Sequence, residues 1–542
     1  MGDTVTPLTV RRELNQKFDA LPIFRRDRAT VLYHFCVALE MSRNPYSVNL
    51  DIVMAMGRRA LEASMRAIPA IYRNCPVTPT TPPVQFNVAA LAEAMELVEF
   101  AFRYDQIMYC FELAERGQFE VRYDPLARCT AFTYASSDES AADTLLRSHE
   151  RDSQIERATE NDKAVITQLA LEAKRELEKT IFFAAPDAIS YTFTPALLDV
   201  ARKWAEALAR TRRWEFPPDL SIGNVTLGDV RKFWSAVTVI ACIHETAHLI
   251  VAREANDRPQ GSIVALRSRE EWNELIQDIV TIGLGVASEL LWWYTYDAKV
   301  SELTAPIQPF LEILPGYLAV PMDLVTHSNI ERNLQKLLSR HPNLRSFYER
   351  VKRRKESIAL AHLGDLFPSA GFAIKQTVVI KGITDADLVV YERASGFVLV
   401  IQHKWLIAPE TVSESSFNDD QVSEGVRQAV EARDAFRKDQ TLLRRELGLA
   451  ADQTIDRIEA VVVCRGAEQT GFLGKLPVPV VSERAFEGMW EQSSRSLIKV
   501  WESLSSRPDH ARAAGRYKDT AALLTVGGLR FSIPTLSLEV KP

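Results

Sequence analysis

The sequence predicts a multidomain protein in which mainly helical N-terminal and middle regions precede an α/β domain. Three observations predict it. The chain has 542 residues, more than one hydrophobic core organises, and length alone suggests about three domains. Apolar residues recur at helical spacing through most of the first 340 residues. From a break at His341-Pro342 the texture changes to α-β-β-β-α-β-α, which runs to Ser505-Ser506. The resulting partition is 1–215, a helical scaffold or recognition region; 216–340, a second helical region; 341–505, the α/β domain; and 506–542, a C-terminal extension.

Each element has its own warrant. Residues 29–72 carry a helical stripe (Val31, Phe35, Val37, Leu39, then Val53, Met56, Leu61, Met65). They stop at the segment from Cys75 to Val84, whose four prolines cannot continue a helix. A second helix spans 87–117 on Leu91, Met95, Val98 and Phe102. Phe119 to Tyr134 alternates and is rich in aromatic and β-branched residues, which predicts a hairpin around Asp124-Pro125. Residues 136–180 are charged and helical, and 194–213 are amphipathic through Leu197, Val200, Trp204 and Leu208. Strong apolar helices follow over 226–254 and 270–296. No internal repeat, Walker loop or GxGxxG segment is present, which argues against a built-in NTP motor.

Composition narrows the class. Hydrophobic content of 46% with 25% charged residues is that of an ordinary globular chain. The six scattered cysteines form no CxxC pair, which argues for a reducing compartment. The N-terminal segment lacks the apolar core of a signal peptide, and the longest apolar run, Val237 to Ile243, is too short to span a bilayer. A cytoplasmic protein with no membrane partner is expected. Net charge is −6, and residues 341–500 balance 22 Lys+Arg against 22 Asp+Glu, so bulk charge does not attract nucleic acid. Any DNA contact must use a local surface such as Lys352, Arg353, Arg354 and Lys355, a run that also reads as a solvated helix face.

The informative stretch is Thr377 to Ile407. Val378–Ile380 begins a strand, Asp387 opens a second through Tyr391, and Glu392–Gly396 turns into a third that ends in Gln402-His403-Lys404. Period-2 geometry puts Gln402 and Lys404 on one face and His403 on the other, and the hairpin brings Asp387 alongside. Phosphodiester hydrolysis gives three polar side chains at the end of an apolar hairpin a reason. A carboxylate and a neighbouring oxygen ligand hold Mg²⁺, the ion activates a bound water, and a lysine orients or deprotonates that water.

At these residues the sequence resembles the PD-(D/E)XK restriction-endonuclease-like superfamily, closest to the Mrr-type branch in which glutamine replaces the acid as QxK. The resemblance covers about 160 residues: a preceding helix (Leu344–Leu363), the three strands, a helix over Asp420–Arg437 bearing Gln421 and Gln428, a strand Ile458–Cys464, a short strand Val478–Val481 and a helix 483–503. It implies a restriction-endonuclease-like α/β domain that cleaves DNA with Mg²⁺ or Mn²⁺. It further implies catalytic Asp387, Gln402 and Lys404, with Glu356 (less well Glu349) as the accessory acid and metal ligand. Defence against foreign DNA is the role that such architectures suit by analogy. The departure is Gln402, because an amide holds a divalent ion less strongly than a carboxylate.

A second constellation lies in the helix 226–254: His244-Glu245-Thr246-Ala247-His248. On a helix the two histidines face the same way one turn apart, a spacing that chelates zinc, and Glu245 adjoins them as a general base. The pattern resembles thermolysin-like zincins, in which Glu274 is the third Zn²⁺ ligand and Asp278 buttresses a histidine, with Glu271 and Glu289 as fallback ligands. The bland alternative is two histidines satisfied by hydrogen bonds in a core helix. The sequence thus supports a divalent-metal DNA nuclease. Its rivals are a zinc metallopeptidase carrying a nuclease-like DNA-binding domain, and a non-enzymatic helical interaction protein with degenerate sites. Other protein subunits or a homo-oligomer through the helical N-terminal region are the expected protein partners.

Overall fold

The computed structural model describes residues 6–42, 50–77, 85–135, 160–185, 188–211, 216, 218–254, 263–300, 303–368, 370–407, 409, 411–450, 452–465, 476–505 and 517–538. Among these, the chain is multidomain with sixteen α-helices and several sheets, and its first half is mostly helical. The part of the expected helical segment 136–180 that precedes Glu160, and the side chains of Val53 and Met56, lie outside the described residues.

The N-terminal core is built by α1 (Pro7–Asp19), α2 (Arg28–Ser42), α3 (Leu50–Asn74) and α4 (Val88–Glu115). Leu32, Phe35 and Leu39 meet Leu97, Ala101 and Phe111 there, fully or almost fully buried. The expected hairpin forms as β1 (Phe119–Asp124) and β2 (Cys129–Tyr134), and the Asp124 carboxylate caps the turn by accepting from the backbone N–H groups of Leu126 and Ala127.

The middle core surrounds α7 (Leu227–Glu254). It adds α5 (Glu160–Leu177), β3 (Phe182–Ala185), β4 (Ala188–Ser190), α6 (Pro195–Thr211) and the two-residue strands β5 (Ser221–Ile222) and β6 (Val225–Thr226). Then come β7 (Ala265–Ser268), α8 (Arg269–Ile279), α9 (Leu284–Trp293), β8 (Leu311–Leu314), β9 (Tyr317–Val320), α10 (Met322–Thr326) and α11 (Ile330–Arg340). Leu227–Val251 is the one helix among the described residues long and apolar enough to cross a membrane, and most of that stretch is buried in this core. Two expected boundaries are corrected. Helices α5 and α6 place Leu177, Leu197 and Trp204 in the middle core, so the division falls before them rather than at 215. The apolar stretch 270–296 is two helices, because Val280 is extended and Gly283 caps a new start.

The C-terminal domain is a five-stranded sheet in the order β10-β11-β12-β13-β14. Its strands are β10 (Phe372–Ile380), β11 (Thr384–Glu392), β12 (Phe397–Trp405), β13 (Arg457–Arg465) and β14 (Val480–Ser482). The first three are antiparallel neighbours, and β12, β13 and β14 run parallel. A parallel neighbour requires a crossover, supplied by α13 (Val412–Lys438) and α14 (Gln440–Leu447). Helices cover both faces, so β12 reads as a continuous apolar run, Phe397–Ile401. Val398 and Val400 face α13 through Val422, Val426, Ala429 and Phe436. Phe397, Leu399 and Ile401 face α12 (Arg345–Asp365), α15 (Glu483–Gln492) and α16 (Leu497–Ser505) through Leu363, Phe486, Trp490 and Trp501. Each fully buried aliphatic or aromatic side chain contributes about 1.5–3 kcal/mol relative to exposure. The expected helix 483–503 is broken into α15 and α16, where Ser494 and Arg495 adopt φ values of 57° and 62°.

The chain end is not a separate extension. Strands β15 (Tyr517–Val526) and β16 (Leu529–Leu538) form a hairpin whose second strand pairs in parallel with β2, giving a sheet β1-β2-β16-β15. Val526, Phe531 and Ile533 are buried in the N-terminal core.

The middle and C-terminal regions share a polar seam. Glu414 of α13 takes Arg332 and Lys336 of α11, each at 2.9 Å, and the Phe216 ring stacks on Trp405 with centroids 5.4 Å apart.

Candidate functional site

Strand pairing assembles the first cluster. The Leu388↔Ile401 pair sets Asp387 across from Gln402, and Asp387 Oδ2 accepts the backbone N–H of His403 at 2.8 Å. Gln402 and Lys404 point to the α13 face, where Gln428 Oε1 accepts from Gln402 Nε2 at 3.2 Å and from Lys404 Nζ at 2.8 Å. Gln402 is 2% exposed, and its Oε1 is buried without a hydrogen-bond partner. Burial pushes the Asp387 carboxyl above the ordinary carboxylate range and Asp385 adds to this, while the His403 N–H and the Lys404 and His403 charges oppose it.

Two backbone features shape this pocket. Gly425 lies under the Lys404 side chain: a Cβ there would fall 2.8 Å from Lys404 Cε and 3.2 Å from its Cγ. A glycine within a helix costs about 1 kcal/mol against alanine, and here it opens the path by which Lys404 reaches Gln428. On the other side Thr377 faces Asp387 across the ladder, between the Gln376↔Leu388 and Val378↔Ala386 pairs, with φ at 51°. A β-branched residue in that region is strained, and such strain concentrates at functional sites.

His403 points to the opposite face, as period-2 geometry requires. Its Nε2 lies 3.9 Å from Glu483 Oε2, and Arg465 Nε lies 3.4 Å from the same oxygen. His362 of α12 reaches Glu487 Oε1 at 2.7 Å and Glu483 Oε1 at 3.7 Å through its Nε2. Burial pushes the Glu483 carboxyl up, but His403, Arg465 and His362 outweigh it and hold it below its usual value.

Glu356, the expected accessory acid, does not join Asp387. It is exposed on α12, whose buried residue Leu363 packs on the His403 face of the sheet, opposite Gln402 and Lys404. The neighbouring Lys355 is not part of an open basic face either. It is buried, donates to Gln335 Oε1 at 2.7 Å and sits 4.7 Å over the Trp405 ring. The one carboxylate whose charge adds to the upward shift of Asp387 is Asp385, two residues back on β11.

The middle constellation is not brought together with its expected third ligand. Helix α8 buries Trp272, Ile276 and Ile279, which turns Glu274 and Asp278 to solvent. Glu271 closes a capping box with Ser268. Among the described residues the only three metal-ligating side chains whose ligand atoms all lie within 4.8 Å are His362, Glu483 and Glu487. Tyr191 OH lies 3.0 Å from His244 Nδ1 and accepts from Arg267 at 2.9 Å. That directs the Tyr191 proton at Nδ1 and puts the His244 ring proton on Nε2, a tautomer in which neither ring nitrogen offers a lone pair to a metal.

Sequence reasoning missed Gly425 and the His362–Glu483–Glu487 group. Gly425 carried a signal, since it falls between Gln421 and Gln428 on one helical face. The chain matches no family model, no curated protein and no solved structure.

Proposed function

We propose that the C-terminal domain is a divalent-metal-dependent nuclease acting on DNA phosphodiester bonds. The observation that carries the reading is the shared acceptor: Gln428 holds Gln402 and Lys404 side by side on the face where Asp387 stands. The order α12-β10-β11-β12-α13-β13, antiparallel and then parallel, supports it as the element succession of PD-(D/E)XK nucleases.

The donor set fits Mg²⁺ or Mn²⁺. The Asp387 carboxylate and the orphaned Gln402 Oε1 offer oxygen alone, the ligand type that hard cations take. When bound, such an ion neutralises charge on the scissile phosphate and acidifies a coordinated water. The protein's own residues do the rest. Gln428 fixes the Lys404 ammonium where it can steer a nucleophilic water or meet the developing charge, and the His403 N–H orients the Asp387 carboxylate.

The test is cleavage of supercoiled plasmid by the full chain with Mg²⁺ or Mn²⁺. Lys404→Ala and Asp387→Ala abolish cleavage while the circular dichroism spectrum is unchanged, and Glu245→Gln cuts at the wild-type rate. Wild-type protein that leaves the plasmid intact with both ions, or a Lys404→Ala variant as active as wild type, overturns the reading.

A further inference from the structure

The sheet face turned away from Asp387 carries a polar cluster that the nuclease reading does not use. Glu483 and Glu487 occupy i and i+4 positions of α15 and therefore point the same way. His362, in the last turn of α12, faces them, and the three ligand atoms lie within 4.8 Å of one another. Acid pairs on helices are common, so the cluster alone means little. What singles it out is Glu483, whose side chain is 8% exposed and whose two carboxylate oxygens are buried without a hydrogen-bond partner. Burying an ionised carboxylate is costly unless it is paired and fully hydrogen-bonded or bound to a metal. The cations at hand do not complete it: Arg465 Nε stands at 3.4 Å and His403 Nε2 at 3.9 Å, both at Oε2, while Oε1 faces His362 Nε2 at 3.7 Å. Two like charges one turn apart, one of them buried, want a positive charge between them.

We propose that His362 Nε2, Glu483 Oε1 and the Glu487 carboxylate form a binding site for a divalent transition metal of the zinc class. One imidazole and two carboxylates suit zinc, cobalt or manganese better than magnesium. His403 and Arg465 flank the other Glu483 oxygen and orient the ligand, as outer partners do in metal sites. His362 is half exposed and gives the ion its entry route, and water completes the coordination. The site is distinct from both motifs read in the sequence: it faces away from Asp387 and shares no residue with His244 and His248. It stands or falls independently of the nuclease reading. It does touch that region at one residue, because the ring beside Glu483 and the backbone N–H on Asp387 both belong to His403.

The experiment titrates Zn²⁺ into metal-stripped, tag-free full-length protein by isothermal calorimetry, with Co²⁺ absorption as the second readout. Expected is one zinc equivalent weakened at least about 10-fold in His362→Ala and in Glu487→Gln, since even outer-partner changes cost that much. Both positions are solvent-accessible, so the variants fold, and unchanged thermal unfolding without metal verifies this. His248→Ala retains the equivalent. Bound Co²⁺ shows ligand-field bands without thiolate charge transfer, and these fade in His362→Ala. Wild-type protein that takes up no zinc, or zinc binding that His248→Ala abolishes and His362→Ala does not, overturns the proposal.

Discussion

The backbone N–H of His403 donates to Asp387 Oδ2 at 2.8 Å. The strand that carries Gln402 and Lys404 is thus pinned to the carboxylate by a main-chain bond that does not depend on the imidazole of His403. Asn at 387 keeps an oxygen acceptor for this bond but loses the charge. Burial works against that charge, since it raises the Asp387 carboxyl. Asp387→Asn is therefore expected to keep or raise the metal-free melting temperature while cleavage falls at least about 10²-fold, the scale of a lost acid–base or metal-positioning group. Calorimetry and plasmid cleavage on the same preparation check it, and a marked loss of stability would contradict the account.

Gly425→Ala separates helix stability from site geometry. Alanine improves the propensity of α13 by about 1 kcal/mol. Its Cβ, however, meets Lys404 Cε at 2.8 Å and must push the ammonium off Gln428. The expected variant is folded at least as well as wild type and cleaves slowly. If alanine leaves the cleavage rate unchanged, Lys404 does not need its seat on Gln428.

His34 predicts an acid transition in the N-terminal region. Its Nδ1 is 2.7 Å from the Thr30 carbonyl and so donates, which leaves Nε2 to accept from the Asn87 N–H at 2.8 Å. Burial lowers its pKa. A histidine lowered on folding stabilises fully above its unfolded value of about 6.5, and that contribution is lost as pH falls through the folded value. Protonation would set two donors face to face at the N-cap of α4, where Asn87 Oδ1 receives Ala90 N–H. The melting temperature should drop as pH falls below about 6.5, and the drop should be shallower in His34→Gln. Parallel curves for the two proteins would exclude His34 as the sensor.

Much of this architecture was legible in the sequence, and the failures share a cause. Local periodicity located the hairpin 119–134, the paired strands 384–405 and the sidedness of Gln402, His403 and Lys404, because period 2 and turn chemistry act over a few residues. Helix starts and stops at Gly283 and Ser494 were missed, since an apolar stripe continues across both breaks. The resemblance draws Glu356 from the helix that precedes the sheet, but the face on which α12 packs is decided by Leu363, which carries the helix to the far side. Glu274 failed alike, because Trp272 and Ile276 fix the rotation of α8. The Glu483–Glu487 pair could be seen as i, i+4, yet its partner His362 comes from a helix more than a hundred residues earlier. No local rule carries that information.

The strongest long-range consequence lies at the chain end. Phe531 is fully buried in the N-terminal core beside Phe132, although more than 350 residues separate β16 from β2. The parallel pairing Arg530↔Cys129 to Ser532↔Ala131 joins the hairpin to the first domain, and the Arg103 side chain on α4 donates to the Thr525 carbonyl at 3.1 Å. Phe531→Ala deletes a large buried ring and leaves a cavity, which costs about 3–5 kcal/mol. That cost should fall on the N-terminal core alone, because Asp387 and its sheet have separate cores formed by residues from Leu363 onward. Hydrogen exchange read by mass spectrometry should show α4 and the hairpin 119–134 losing protection in Phe531→Ala, while β11–β13 keep theirs. Plasmid cleavage should persist at temperatures where the N-terminal signal has already melted. Equal loss of protection in both regions would mean that the two cores unfold as one unit, and unchanged protection in 119–134 would refute the β2–β16 pairing.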